Sequence, residues 1–129
     1  MQDKVILVNA GCGYDGTVKV REDIQTDAST QLVNQGEGIE IPVYSLNTII
    51  QKFNITDAVL KVDCEGCEYD LFKIATNESL DRFNQIIIEY HYGYKELVKR
   101  LKEVNFKLKH TIPRHARRGM ILGYIYAWK

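Results

Sequence analysis

The chain has 129 residues, with 17 Lys/Arg balanced by 17 Asp/Glu, 45% hydrophobic and 26% charged residues. That length suits one compact domain, and the composition excludes a disordered or fibrous chain. No apolar run reaches the roughly 20 residues of a membrane span, Met1-Gln2-Asp3-Lys4 does not open a secretory leader, and three cysteines argue against a disulfide framework, so a cytoplasmic protein is expected.

Val5-Ile6-Leu7-Val8 reads as a strand buried on both faces, ended by Asn9-Ala10-Gly11-Cys12-Gly13. Tyr14-Asp15-Gly16 signals a turn, and Thr17–Arg21 alternates as a half-buried strand. Residues 22–38 are polar and predict little structure. Ile39–Val43 alternates again, with Pro42 placing it at a sheet edge or strand end. Ser45 reads as the N-cap of a short helix whose stripe is Leu46, Ile49, Ile50 and Phe53. Ala58–Asp63 is a second buried-strand candidate, stopped by Gly66, and a helix follows over about Glu68–Ala75. Ser79 is expected to cap another turn through Phe83. Gln85–Glu89 is the third apolar strand. Tyr94, Leu97, Val98 and Leu101 mark an amphipathic helix with Lys95, Lys99 and Lys102 outward. Phe106–Ile112 and Met120–Trp128 predict an antiparallel terminal pair joined by the basic loop Pro113–Gly119.

Residues 95–129 carry ten Lys/Arg against Glu96 and Glu103. Without interleaved aromatic platforms, this reads as a solvated helix face and a loop cluster, and no nucleic-acid or membrane partner is expected.

The alternation of apolar strands and helices argues an α/β domain with a mainly parallel sheet and an antiparallel C-terminal strand pair. Its crevice should lie at the carboxyl ends of the strands, at Asn9–Gly13, Asp63–Glu68 and Glu89–Tyr92. In Asp63-Cys64-Glu65-Gly66-Cys67-Glu68 three carboxylates leave a strand together, and a glycine permits a tight turn. Clustered carboxylates serve acid–base work, while Asp/Glu at a helix start also serves capping; the residues alone leave both open. Cys64-x-x-Cys67 lacks the second ligand pair of a structural zinc site, so no metal is expected, although a redox pair at a strand-to-helix turn fits the spacing. His91 reads either as a general base or as a hydrogen-bonded turn residue. Tyr90, Tyr92 and Tyr94 either line a pocket or cover the sheet end; His110 and His115 belong to the basic surface.

Val59-Leu60-Lys61-Val62-Asp63-Cys64-Glu65-Gly66-Cys67-Glu68-Tyr69-Asp70-Leu71-Phe72 resembles the central D-x-E-G-x-E motif of the FkbM-type methyltransferases. Ile41–Ile50 is similar to the segment before that motif, although the family usually has Asp where Asn47 stands. Ile86-Ile87-Ile88-Glu89-Tyr90-His91 is similar to the next strand, and Val8–Gly13 through Gly16-Thr17-Val18 to the upstream strand and hairpin. The likeness runs from about residue 4 to about residue 110. It implies a partial Rossmann-like methyltransferase fold over residues 1–129, using S-adenosylmethionine for O-methylation of a small-molecule or sugar hydroxyl. Asp63, Glu65, Glu89 and His91 would then be catalytic, and Glu68, Tyr90 and Tyr92 would bind substrate. The family's D-x-G-A-N-x-G cofactor loop and ribose-binding acid should precede Val5–Val8, where four residues hold neither; Gly11-Cys12-Gly13, with no helix pattern after it, is a weak substitute. Cofactor-binding residues thus remain unassigned, and the domain is expected to be N-terminally incomplete, completed by homodimerisation or by a complementing N-terminal polypeptide. The alternative expectation is a catalytically inactive module that binds a partner or itself through an open sheet edge.

Overall fold

The computed structural model describes residues 4–21 and 38–129. The polar stretch at 22–37 and residues 1–3 lie outside the described part.

A small sheet of three strands begins the domain. Gly11–Cys12 (β1) runs parallel to Ile39–Tyr44 (β3), which pairs antiparallel with Gly16–Val20 (β2). Pro42 sits inside β3, yet the β1 pairing starts only at Val43. At Pro42, β3 therefore has one partner strand, which suits a residue without an N–H.

Leu46–Phe53 (α1) forms as its stripe predicts. Ser45 caps it, accepting from the Thr48 N–H at 3.2 Å. Asp15 in turn accepts from the Ser45 N–H and hydroxyl at 2.7 and 2.9 Å and from the Thr48 hydroxyl at 2.9 Å. These bonds hold its carboxyl below the usual range, the Ser45 N–H contributing most.

The larger sheet runs Ala58–Val62 (β4), Phe83–Tyr90 (β5), Ile121–Trp128 (β8), Lys107–His110 (β6), with Arg114–His115 (β7) also on β8. The helices beside it are Glu68–Ile74 (α2), Asn77–Leu80 (α3) and Lys95–Glu103 (α4). The mixed α/β class and the antiparallel C-terminal strands agree with the sequence. The mainly parallel sheet does not: only β1–β3 and β4–β5 are parallel among the described pairs, and β5 pairs antiparallel with β8.

Nor are these strands buried on both faces. Ile86, Ile88 and Tyr90 of β5 and Ile125 and Ala127 of β8 are in the core with Leu71, Phe72, Leu97 and Leu101 from the helices. The alternate residues Val59, Tyr124, Tyr126 and Trp128 stay exposed. Gly123 lies opposite Tyr90, and a Cβ there would fall 2.1 Å from the tyrosine hydroxyl oxygen, so no larger residue fits.

Val5–Val8 forms no strand, and Val5, Ile6 and Leu7 are 88, 69 and 90% exposed. An apolar run becomes a buried strand only where partners flank it, and the described residues supply none. Its pairing with β4, one way to close the sheet, does not occur.

The turn after α2 also departs from expectation. Thr76, not Ser79, is the cap of α3, and the Ser79 N–H donates to the Thr76 hydroxyl at 3.1 Å. Asn47 braces this corner from α1: its amide donates to the Ile74 carbonyl at 3.2 Å and accepts from the Thr76 N–H at 3.0 Å. Arg100 braces it from α4, donating to the carbonyls of Phe72 and Ala75 and to the side-chain oxygen of Asn77. Arg100 is thus a structural residue, whereas Lys95, Lys99 and Lys102 are exposed as expected.

Candidate active site

β4 and β5 run parallel in register Val62↔Ile88, so their carboxyl ends deliver Asp63 and Glu89–His91 to one place. Glu89 and His91 are two residues apart and leave the strand on the same side. From Val62 the chain reaches α2 through a turn closed by the Cys67 N–H on the Cys64 carbonyl, at 3.3 Å. Glu65 and Gly66 take positive φ of 55° and 118° in that turn. The φ of Gly66 favours glycine, and a Cβ there would also press on the Tyr92 ring at 3.1 Å, so the ring would have to give way.

Four of the sequence-predicted residues converge. His91 Nε2 lies 3.6 Å from Glu65 Oε2 and 3.9 Å from Asp63 Oδ1. Donor atoms of Asp63, Glu89 and His91 all lie within 4.8 Å of one another. Lys61 adds a cation 3.6 Å from Asp63. Tyr124, paired opposite Glu89 on β8, has its phenol pKa pushed up by the Glu89 charge and hydrogen bond, with a smaller push from Asp63.

Glu68 and Tyr90 are corrections to the sequence reading. Both are fully buried and out of reach of a substrate. Glu68 instead positions His91: its Oε1 accepts from the His91 N–H at 3.0 Å and faces Nδ1 at 2.9 Å, and its Oε2 accepts from the Gly66 N–H at 2.9 Å. Tyr90 packs in the core and donates to the Thr111 carbonyl at 3.4 Å. Tyr92 stays 57% exposed. It lines a cleft of about 640 Å³ with Tyr69, Gly93, Tyr94, Pro113, His115 and Ile121.

Tyr69 was not legible as a site residue. Its hydroxyl donates to the Gly93 carbonyl and accepts from the Tyr92 N–H, both at 2.7 Å, and shapes the cleft floor. Burial, chiefly, pushes its pKa up to about 12. Tyr124 was missed because its place depends on the β5–β8 register, which local periodicity does not carry.

The cysteines correct a second expectation. Cys64 and Cys67 form a disulfide, and the Cys12 sulfur sits 3.0 Å from that of Cys67. One bridge across three residues is a local clasp on the turn rather than a framework, because such a short loop restrains the unfolded chain little. Burial, then the Glu68 charge, raises the Cys12 thiol pKa.

No cofactor cradle is present among the described residues. Gly11-Cys12-Gly13 enters a strand pairing, with the Gly13 N–H on the Tyr44 carbonyl at 3.1 Å, and β2 rather than a helix follows. Beside Gly66 the space is filled by Tyr92. The described residues therefore do not fit S-adenosylmethionine.

A mixed α/β domain with an acid–histidine cluster at the carboxyl ends of a parallel strand pair has the layout of an α/β enzyme crevice. The sequence pattern of the methyltransferase FkbM domain matches residues 2–109, and the chain belongs to that methyltransferase family. No curated protein and no solved structure matches it. None of the described helices is long and apolar enough to cross a membrane.

Proposed function

We propose that the chain forms the acceptor-activating side of an S-adenosylmethionine-dependent O-methyltransferase. The observation that carries this reading is the convergence of Asp63, Glu65 and Glu89 on Nε2 of a histidine whose other nitrogen is held by Glu68. S-adenosylmethionine is the methyl donor that the family membership supports, and the described residues do not form its cradle.

With Nδ1–H donating to Glu68, the Nε2 lone pair points at the crevice and can take the proton of an acceptor hydroxyl. A positioned base of this kind contributes about 10²–10⁴-fold. Asp63, Glu65 and Glu89 present carboxylate oxygens that accept from neighbouring hydroxyls, a pattern suited to a sugar or another polyol. The exposed face of Tyr92 in the adjoining cleft suits the apolar face of such a ring.

The open edge of β4 favours a completing partner. A groove of about 330 Å³ beside it is lined by Cys12, Leu46, Ile49, Val59 and Leu60, among others. A second copy or a complementing polypeptide adds a strand there. The same edge and the missing cradle also support the second reading, a catalytically inactive interaction module.

Methyl transfer from labelled S-adenosylmethionine to a panel of sugars and polyols tests the proposal, run on this chain and on the product of the reading frame extended upstream of Met1. The expected result is no binding or turnover by the 129-residue chain alone and turnover by the extended product, lost in Asp63→Asn and His91→Gln. Turnover unchanged in both variants overturns the assigned roles, and an extended product without turnover supports the module.

A further inference from the structure

We infer that Asp63, Glu89 and His91 form a divalent-cation site. The inference deepens the acceptor-side reading, and only its catalytic consequence rests on that reading.

His91 is 3% exposed, and its Nε2 has no hydrogen-bond partner among the described residues; Glu65 and Asp63 stand just beyond bonding distance at 3.6 and 3.9 Å. Opposite this nitrogen stand the carboxylates of Asp63, Glu65 and Glu89, with the Tyr124 phenol beside Glu89. Lys61, the cation at hand, reaches Asp63 alone and is 63% exposed. A ring nitrogen facing several carboxylates is satisfied by a proton or by a metal ion.

Glu68 favours the metal. A ligating histidine characteristically gives its second N–H to a carboxylate, which fixes the tautomer and aims the lone pair. Glu68 receives Nδ1 in that way and is itself anchored by two backbone N–H groups, of Gly66 and His91. The support therefore does not depend on the exposed acids.

The geometry is within reach. Donor atoms of the three residues lie within 4.8 Å of one another. Bonding one ion at about 2.0–2.2 Å needs mutual separations near ~3 Å. Asp63 is exposed and Glu89 half-buried, so modest side-chain rotation closes that gap against the fixed imidazole. Two carboxylate oxygens and an imidazole suit Mg²⁺, Mn²⁺, Fe²⁺ or Zn²⁺. Three protein ligands leave positions open. An acceptor hydroxyl in one of them is made more acidic by the cation. With Nε2 bound to the ion, Glu65 replaces His91 as the base and takes the proton while the electron pair stays on the oxygen.

Mn²⁺ is the probe, because hard acid–imidazole ligands hold it, whereas the Cys12 thiol beside the Cys64–Cys67 disulfide favours softer ions. Binding is followed by loss of the free-ion paramagnetic resonance signal on titrating the 129-residue chain, without methyl donor or acceptor. The expected result is one saturable Mn²⁺ per chain, broadening of the His91 ring proton signals, and affinity weakened at least about tenfold in Asp63→Asn and in Glu89→Gln. Asp57→Asn, distant and exposed, leaves affinity unchanged, and thermal melts check that every variant is folded. No saturable uptake, or uptake unaltered in both Asp63→Asn and Glu89→Gln, overturns the site. Mn²⁺ uptake through these residues, with no methyl transfer by the extended product, upholds the site and defeats the methyltransferase reading alone.

Discussion

Glu68 and His91, both buried, are joined twice: one carboxylate oxygen meets the backbone N–H of His91 at 3.0 Å and its Nδ1 at 2.9 Å. The strand-to-helix turn after β4 and the end of β5 are locked together through this contact. Removing the carboxylate in Glu68→Ala strands the N–H groups of Gly66 and His91 away from water. A loss of about 3 kcal/mol is expected in urea denaturation. Glu68→Gln keeps the volume and one acceptor, so its loss should be smaller. Because Glu68 acts through His91, turnover of folded Glu68→Gln should fall through kcat with KM little changed.

Asn47 is the position where the chain departs from its family's usual Asp, and the structure supplies a reason. The side chain must donate to the Ile74 carbonyl and accept from the Thr76 N–H at once. A carboxylate only accepts. Asn47→Asp should therefore cost about 1 kcal/mol in the same assay, since it sets a carboxylate against the carbonyl. Equal stability of the two forms would show that the donated bond counts for nothing.

How much of this was legible depended on whether the signal was local. β5 runs over Phe83–Tyr90, beyond both ends of the expected Gln85–Glu89, but the α1 stripe, the Ser45 cap and the α4 face follow from spacing alone, and the structure reproduces them. So does the gathering of Asp63, Glu65, Glu89 and His91, because parallel neighbouring strands bring their carboxyl ends together. Val5–Val8 failed because composition marks a strand without revealing whether a partner exists. Glu68 and Tyr90 failed because side-chain direction decides between crevice and core: Glu68 turns inward to His91, and Tyr90 faces Gly123 across β8. The Cys64–Cys67 clasp was in the spacing, but an odd cysteine count pointed the other way.

Arg100 ties three segments with one guanidinium. It donates to Phe72, Ala75 and Asn77 at 3.1, 2.6 and 2.8 Å, and Glu103 stands 3.6 Å away. The planar fork sets these bonds, and an ammonium cannot make all three. Arg100→Lys should lower stability by roughly 1 kcal/mol and Arg100→Ala by roughly 2 kcal/mol. Glu103→Ala should change it little, because that ion pair is surface-exposed. Urea midpoints of the three variants, with unchanged slopes, check the order.

Asp15 gives the α1 cap a pH dependence. Its folded pKa lies below the ordinary aspartate range, mainly through the Ser45 N–H. A depressed carboxylate contributes stability that is complete above its unfolded pKa and disappears as pH falls through its folded pKa. Melting temperatures from pH 6 to pH 2 should thus fall more steeply for the parent chain than for Asp15→Asn. Parallel curves would mean that the Ser45 and Thr48 bonds do not discriminate the charged form.

β4 carries a final prediction. Its inner edge pairs with β5, while its outer edge has no strand among the described residues, and Val59 is 62% exposed. Unpaired edges recruit strands from other chains, and covering apolar surface contributes about 25 cal/mol per Å². Lys61, exposed near the middle of β4, opposes this pairing by placing charge on it, so association should be reversible rather than fibrous. Light scattering at micromolar concentration is expected to report a dimer, and Val59→Lys a monomer with an unchanged melt. A monomeric parent chain with a single cooperative melt would falsify pairing through β4 and show that the domain tolerates an open edge.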